Sequence, residues 1–285
     1  MTNRSLKPYL EALPYALLLV LIVGVPIATL ITISFWETDG LLLYPAFSFE
    51  NYRELFTSSL TLTLYLDTIK FTLLTLFFSM IIGFTCSYFL VFFVKSLKVQ
   101  IALFLLCTVP FWTSATIRMI SWVPFLGKEG VFNSAVQGIG LTDTPLEFLL
   151  FSDFAVVLTY VHLFTLFMIV PIFNSMSKIS PSVIEAARDA GANDFDILIN
   201  IIIPLTKTGI ALGSIFIVAL VMGDFFVVRI MSGGQSASVV SAMKNEIDQL
   251  YYPQAAAAAV LLIAMVLIFV SLILRVVDIR TELAR

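Results

Sequence analysis

Apolar residues fill long unbroken stretches of this chain, and polar residues gather in the gaps between them. Six stretches are long enough to cross a bilayer, at approximately 13–36, 66–94, 99–123, 153–177, 208–231 and 255–277. A helix rises ~1.5 Å per residue, so about 20 apolar residues cover the roughly 30 Å of hydrocarbon. The pattern predicts an all-α, polytopic bundle of about six spans that forms a single transmembrane domain over 1–285. Pro26, Pro110 and Pro171 fall inside spans. Proline is tolerated there only where neighbouring helices satisfy the freed carbonyls, so kinked, packed helices are expected.

Composition narrows the function classes. The 285 residues are 60% hydrophobic and 12% charged, about half the charge of a soluble domain. One histidine against 26 phenylalanines argues against a metalloenzyme, and a dispersed net charge of -3 argues against nucleic acid as a partner. Cys86 and Cys107 both sit in apolar segments, where packing is expected rather than a disulfide or zinc site. The first apolar run, Leu13 to Phe35, spans without a small-residue cleavage signature and reads as a retained helix.

Basic residues set the expected orientation. With the N-terminus inside, the inner segments hold Arg4, Lys7, Lys95, Lys98, Lys178, Arg188, Lys207, Arg275, Arg280 and Arg285. The longer outer segments hold Arg53, Lys70, Arg118, Lys128, Arg229 and Lys244 and lean acidic, with Glu50, Glu54, Glu147 and Asp153 among them. Both termini are therefore expected on the cytoplasmic side of an inner membrane. The outer connections, with a turn at 48–52 and a short helix at 130–137, read either as a surface for an external partner or as solvated loops.

The long inner connection, 178–207, carries the most specific signal. Ser180-Pro181 is a helix start. Glu185 and Asp189 then share one helical face, while Ala186, Ala187 and Ala190 flatten another. Gly191 permits a sharp turn, a second short helix runs from Asp194, and Pro204 begins the return to the membrane. A polar, small-faced helix pair of this kind suits docking to a soluble partner better than contact with lipid.

Glu185-Ala186-Ala187, Gly191, Ile201 and Pro204 resemble the EAA loop of ABC-importer membrane subunits, with Ile203 where leucine is usual. Pro110-Phe111-Trp112-Thr113-Ser114 with Arg118, the segment Gly127 to Asn133, and Gly223-Asp224-Phe225 with Gly233-Gly234 extend the likeness over nearly the whole chain. They resemble the spermidine/putrescine-type permeases, in particular the first of their two membrane subunits. The resemblance implies a type I importer fold without catalytic, metal or cofactor sites in this chain. ATP and Mg would be bound by two cytoplasmic ATPase subunits, and a second homologous permease and an extracytoplasmic solute-binding protein would complete the assembly. Glu185, Ala186, Ala187, Asp189, Gly191, Ile201 and Pro204 would couple ATP-driven closure to rocking of the helices. The chain has no phosphate-binding loop, since Gly127-Lys128 lacks the preceding glycine.

An acid inside a span is costly and a functional candidate by default. Asp224, with Phe225 and Phe226, is expected either to meet an ammonium group of the solute or to pair with Arg229 or Arg118. Trp112 and Phe111, after the Pro110 kink, are the other candidate pathway residues. His162 is expected to be a hydrogen-bonded helix histidine. The expected cargo is a polyamine or related small cation. The alternatives are a gradient-driven secondary transporter or channel, which predicts several intramembrane coupling residues and internal symmetry, and a membrane scaffold that merely docks a soluble protein.

Overall fold

The computed structural model describes residues 7–39 and 42–276. Arg4, Arg280 and Arg285, and position 277 at the far limit of the sixth expected span, lie outside the described residues. In chain order, α1 (Lys7–Leu19) and α2 (Val25–Ile33) precede two short antiparallel strands, β1 (Glu37–Thr38) and β2 (Leu43–Tyr44). Next come α3 (Glu50–Thr57), α4 (Ser59–Tyr88), α5 (Leu97–Thr108), α6 (Ala115–Ile120), α7 (Trp122–Leu126) and α8 (Val131–Gly138). The second half contains α9 (Asp153–Met176), α10 (Pro181–Asp189), α11 (Asp194–Ile197), α12 (Ile203–Met222), α13 (Phe226–Met231), α14 (Val239–Asp248) and α15 (Tyr252–Val276).

Five helical runs among the described residues are long and apolar enough to cross a membrane: Glu11–Ile33, Ser59–Phe93, Asp153–Met176, Asp194–Met222 and Tyr252–Arg275. A sixth results if Leu97–Trp112 and Ala115–Gly138 count as one broken span. The stretch expected as one helix over 99–123 is therefore bent, by 91°. Pro110 tightens the chain into a 3-10 turn at Val109–Trp112, and Thr113 then turns extended, so the helix stops before α6 restarts it. The fifth expected span, 208–231, begins earlier, at Asp194, and ends at Met222.

Two other prolines are absorbed in a common way. Val25, just before Pro26, donates its N–H to Val20 O, and Ile203, just before Pro204, donates to Leu198 O. Each bond reaches five residues back rather than four, a single π-turn that gives the pyrrolidine ring room where its missing N–H would otherwise break the ladder.

The chain forms two compact units. One comprises the residues up to Leu62 and Ala242–Ala264. In it Asn51 Nδ2 donates to Ser34 O and Trp36 O, both at 2.9 Å, which ties α3 to the end of α2. Phe35 stacks on Phe47 at 4.9 Å and meets Phe49 and Tyr52 at 5.3 Å. Leu55 packs on Ala257 and Ala258 of the alanine run, whose small side chains permit the close approach.

The other unit comprises Thr63–Ser241 and the residues from Met265 on. Its axis is α9, with Ala155, Val156, Tyr160, Met168, Ile172 and Met176 wholly buried. α12 packs along it through Gly209 and Gly213, a small-xxx-small pair that lets two backbones come together. A Cβ at Gly209 would lie 2.4 Å from Pro171 O, so any other residue would force one helix to move. At the start of α9, Lys70 Nζ bonds Asp67 Oδ1 at 2.7 Å and Asp153 Oδ2 at 2.8 Å, and Ser236 Oγ donates to Asp153 Oδ1 at 2.5 Å. This links α4, α9 and the loop after α13.

Candidate solute and coupling sites

α12 ends at Met222 because Gly223 and Asp224 leave the helix, and α13 restarts at Phe226. Asp224 holds this break. Its Oδ1 accepts from Val227 N at 2.9 Å, capping α13, and from Tyr160 OH on α9 at 3.0 Å. Ser238 Oγ donates to its backbone carbonyl at 3.2 Å. Among the described residues no ion pair joins Asp224 to Arg118 or Arg229.

Asp224 lines a cavity of about 330 Å³ with Ala115, Thr116 and Met119 of α6, Leu163 and Phe164 of α9, and Phe226. Phe164 stacks on Tyr160 at 5.7 Å, and Phe225 and Phe226 meet edge to face at 6.2 Å. The result is one carboxylate held by neutral donors inside an apolar and aromatic wall. Such an arrangement accommodates an ammonium group, which gains from both the charge and the ring faces. The structure thus brings Asp224 and Phe226 together, with Phe225 beside them. Trp112 and Phe111 are placed elsewhere. Trp112 is 86% exposed at the bend, and Phe111 lines a different cavity and packs edge-on against Phe167.

The second site is the polar helix pair. α10 begins at Pro181, although Ser180 Oγ bonds Ser182 Oγ at 2.7 Å instead of capping the helix. Gly191 turns the chain at φ +90, a conformation that glycine adopts without penalty. Arg188 on α10 then pairs with Asp194 at the start of α11, at 3.0 Å. Asn193 and Asp196 cap α11 reciprocally: Asp196 N donates to Asn193 Oδ1 at 2.9 Å and Asn193 N to Asp196 Oδ2 at 3.3 Å. Ala187 and Ile201 pack against the core, whereas Glu185, Ala186, Asp189, Gly191 and Pro204 are exposed. Glu185 and Arg188 border a hollow of about 440 Å³ against Val91, Phe92 and Gln100.

No family model matches the chain. It is 31% identical over 227 residues to the spermidine/putrescine transport system permease protein PotB of Salmonella typhimurium strain LT2, covering 79% of this chain and 78% of that one. The PotB protein of Haemophilus influenzae is 30% identical over 231 residues, covering 80% and 79%. The chain belongs to the PotB family of ABC-transporter permeases. A solved bacterial alginate ABC transporter in complex with its alginate-bound periplasmic protein superposes with a TM-score of 0.75 at 17% identity, over 95% of this chain and 93% of that one.

As a PotB-family permease, the chain is a multi-pass inner-membrane transport subunit of an ABC importer and not an enzyme. The gradient-driven and scaffold alternatives fall away. Two features of this permease escape sequence reasoning. Tyr160, the partner of Asp224, lies on another helix with no local signal. Phe195, 69% exposed on α11 of the polar helix pair, was missed as well, although an aromatic between Asp194 and Asp196 is a visible signal.

Proposed function

We propose that this permease moves a small organic cation of the polyamine type. An extracytoplasmic binding protein delivers the solute. A second homologous permease and two ATPase subunits, which bind ATP and Mg, complete the machine. α10 and α11 are the coupling element, seated on an ATPase surface with Glu185, Asp189 and Phe195 outward, and both chain termini lie on that cytoplasmic side. The observation that carries the cationic cargo is Asp224: a carboxylate in an aromatic cavity, held by two neutral donors. The spermidine/putrescine permeases among its relatives support the same class.

The test is Asp224→Asn. Asparagine keeps an oxygen for Tyr160 and Val227 and removes only the charge. In cells stripped of other polyamine importers and given the complete transporter, labelled putrescine uptake is expected to fall about tenfold or more. Recovery of the assembled complex should be unchanged. Unaltered uptake would refute the cationic reading, and collapse of the complex would make Asp224 a helix cap and nothing more.

A further inference from the structure

A second cavity, also bordered by α6, has no role in the solute pathway described above. It measures about 350 Å³ and is walled by Ile82 of α4, Cys107 and Phe111 near the bend, and Leu158, Leu166 and Ile169 of α9. Into this apolar setting the chain places Arg118 and His162. Arg118 Nε is buried without a hydrogen-bond partner, and among the described residues no carboxylate pairs with its side chain. His162 Nδ1 accepts from Trp122 Nε1 at 2.9 Å, so the neutral ring carries its proton on Nε2. Thr165 spends its hydroxyl hydrogen on Val161 O at 2.5 Å. The cavity therefore offers donors and a positive charge and contains no anion of its own.

A guanidinium set against an apolar wall is costly unless something neutralises it. Two wall residues, Ile82 and Phe111, are themselves exposed on apolar helices, so the cavity opens on a surface suited to hydrocarbon. An occupant that satisfies both features has an anionic head and an aliphatic tail. We propose that this cavity binds an anionic phospholipid, its phosphate on Arg118 and His162 and an acyl chain along Ile82, Cys107 and Phe111. Basic pockets between membrane helices take lipid head groups by this chemistry.

The site also has a consequence for transport. α6 is only six residues long and contributes residues to both cavities. Arg118 faces the lipid cavity, while Ala115, Thr116 and Met119 wall the Asp224 cavity. A phosphate drawn onto Arg118 holds α6 in place, and with it one wall of the solute cavity.

The experiment uses the complete importer, purified with its partner subunits in mild detergent. Native mass spectrometry of the wild type is expected to retain phosphatidylglycerol, and Arg118→Gln to reduce that retention about tenfold. Ile82→Trp keeps the charge and narrows the mouth, so it should lower retention too, which separates lipid loss from a folding defect in the arginine variant. In vesicles of phosphatidylethanolamine with or without phosphatidylglycerol, ATPase activity of the wild type should depend on the anionic lipid and that of both variants should not. Equal retention in Arg118→Gln overturns the proposal. Inorganic phosphate replacing phosphatidylglycerol in neutral vesicles overturns it in favour of a free anion. Loss of the second permease from Arg118→Gln, with no lipid on the wild type, overturns it in favour of a carboxylate supplied by that subunit.

Discussion

Replacing Gly209 by alanine adds one methyl group at the tightest contact between α9 and α12. The new Cβ would lie 2.4 Å from Pro171 O, 2.5 Å from Ser175 Oγ and 2.9 Å from Pro171 C. The serine hydroxyl can rotate away; the carbonyl cannot. The methyl is about 1 Å closer to that oxygen than the 3.4 Å at which ordinary contact begins, so one helix must move. Alanine gains ~1 kcal/mol over glycine in a helix interior. Overpacking costs ~1–3 kcal/mol, and a backbone obstacle places this case at the upper end. The net loss is about 1–2 kcal/mol, or a fall of roughly 2–3 °C in melting temperature for a chain of this size. Cys86 and Cys107 are free and half-buried, so a thiol-reactive dye follows unfolding of the detergent-solubilised protein on heating. Gly213→Ala should be milder, since its nearest obstacle is the flexible Met168 Sδ at 2.6 Å. Gly138→Ala, with nothing within 4 Å, should be neutral or stabilising. A Gly209→Ala midpoint equal to wild type, or a reversed order of Gly209 and Gly213, would refute the tight-seam argument.

Two further perturbations test other regions. Glu185→Arg reverses the charge on the exposed face of α10 while leaving the Arg188–Asp194 pair intact. The variant should reach the membrane in normal amount but recover less ATPase on pull-down, and wild-type recovery with wild-type uptake would sink the coupling role. Glu246 carries a buried Oε2 without a hydrogen-bond partner; burial, and then the charge of Glu54, raise its pKa from 4.5 to about 7. The folded protein thus binds this proton more tightly than the unfolded chain, so the stabilisation is complete below about 4.5 and is lost as pH rises through about 7. Melting temperature should fall between pH 5 and 8 and then level off. Glu246→Gln should flatten that slope, and an unchanged slope would locate the titration elsewhere.

What was legible in the sequence was local. The polar helix pair could be read because each of its devices acts within a few residues: Pro181 starts α10, Gly191 turns the chain, and Asp194 opens α11. The Asn193–Asp196 capping box was equally local and went unread. Asp224 stood out as an acid among apolar residues. Its partner Tyr160 did not, because it lies 64 positions away and the contact depends on the register of α9 against α12. That register is set by Gly209 and Gly213, whose four-residue spacing was visible and is the signal that would have predicted the seam. Pro110 marked a kink. A missing N–H shows where a helix is weak and not which way it bends, so the 91° turn, and the placement of Trp112 away from Asp224, could not be read.

The charges set among the apolar helices are satisfied in different ways. Lys70 sits between Asp67 and Asp153 at 2.7 and 2.8 Å, and the α4–α9 contact neutralises it within the chain. Asp224 and Arg118 are treated differently. They line different cavities, and although the sequence pattern had them as a possible pair, no ion pair forms between them. Had they met, each would have cancelled the other's desolvation cost and neither would need a partner from outside. Left unpaired with each other, the carboxylate asks for a cation and the guanidinium for an anion. One short helix, α6, thereby contributes to both cavities, with Ala115, Thr116 and Met119 in one and Arg118 in the other.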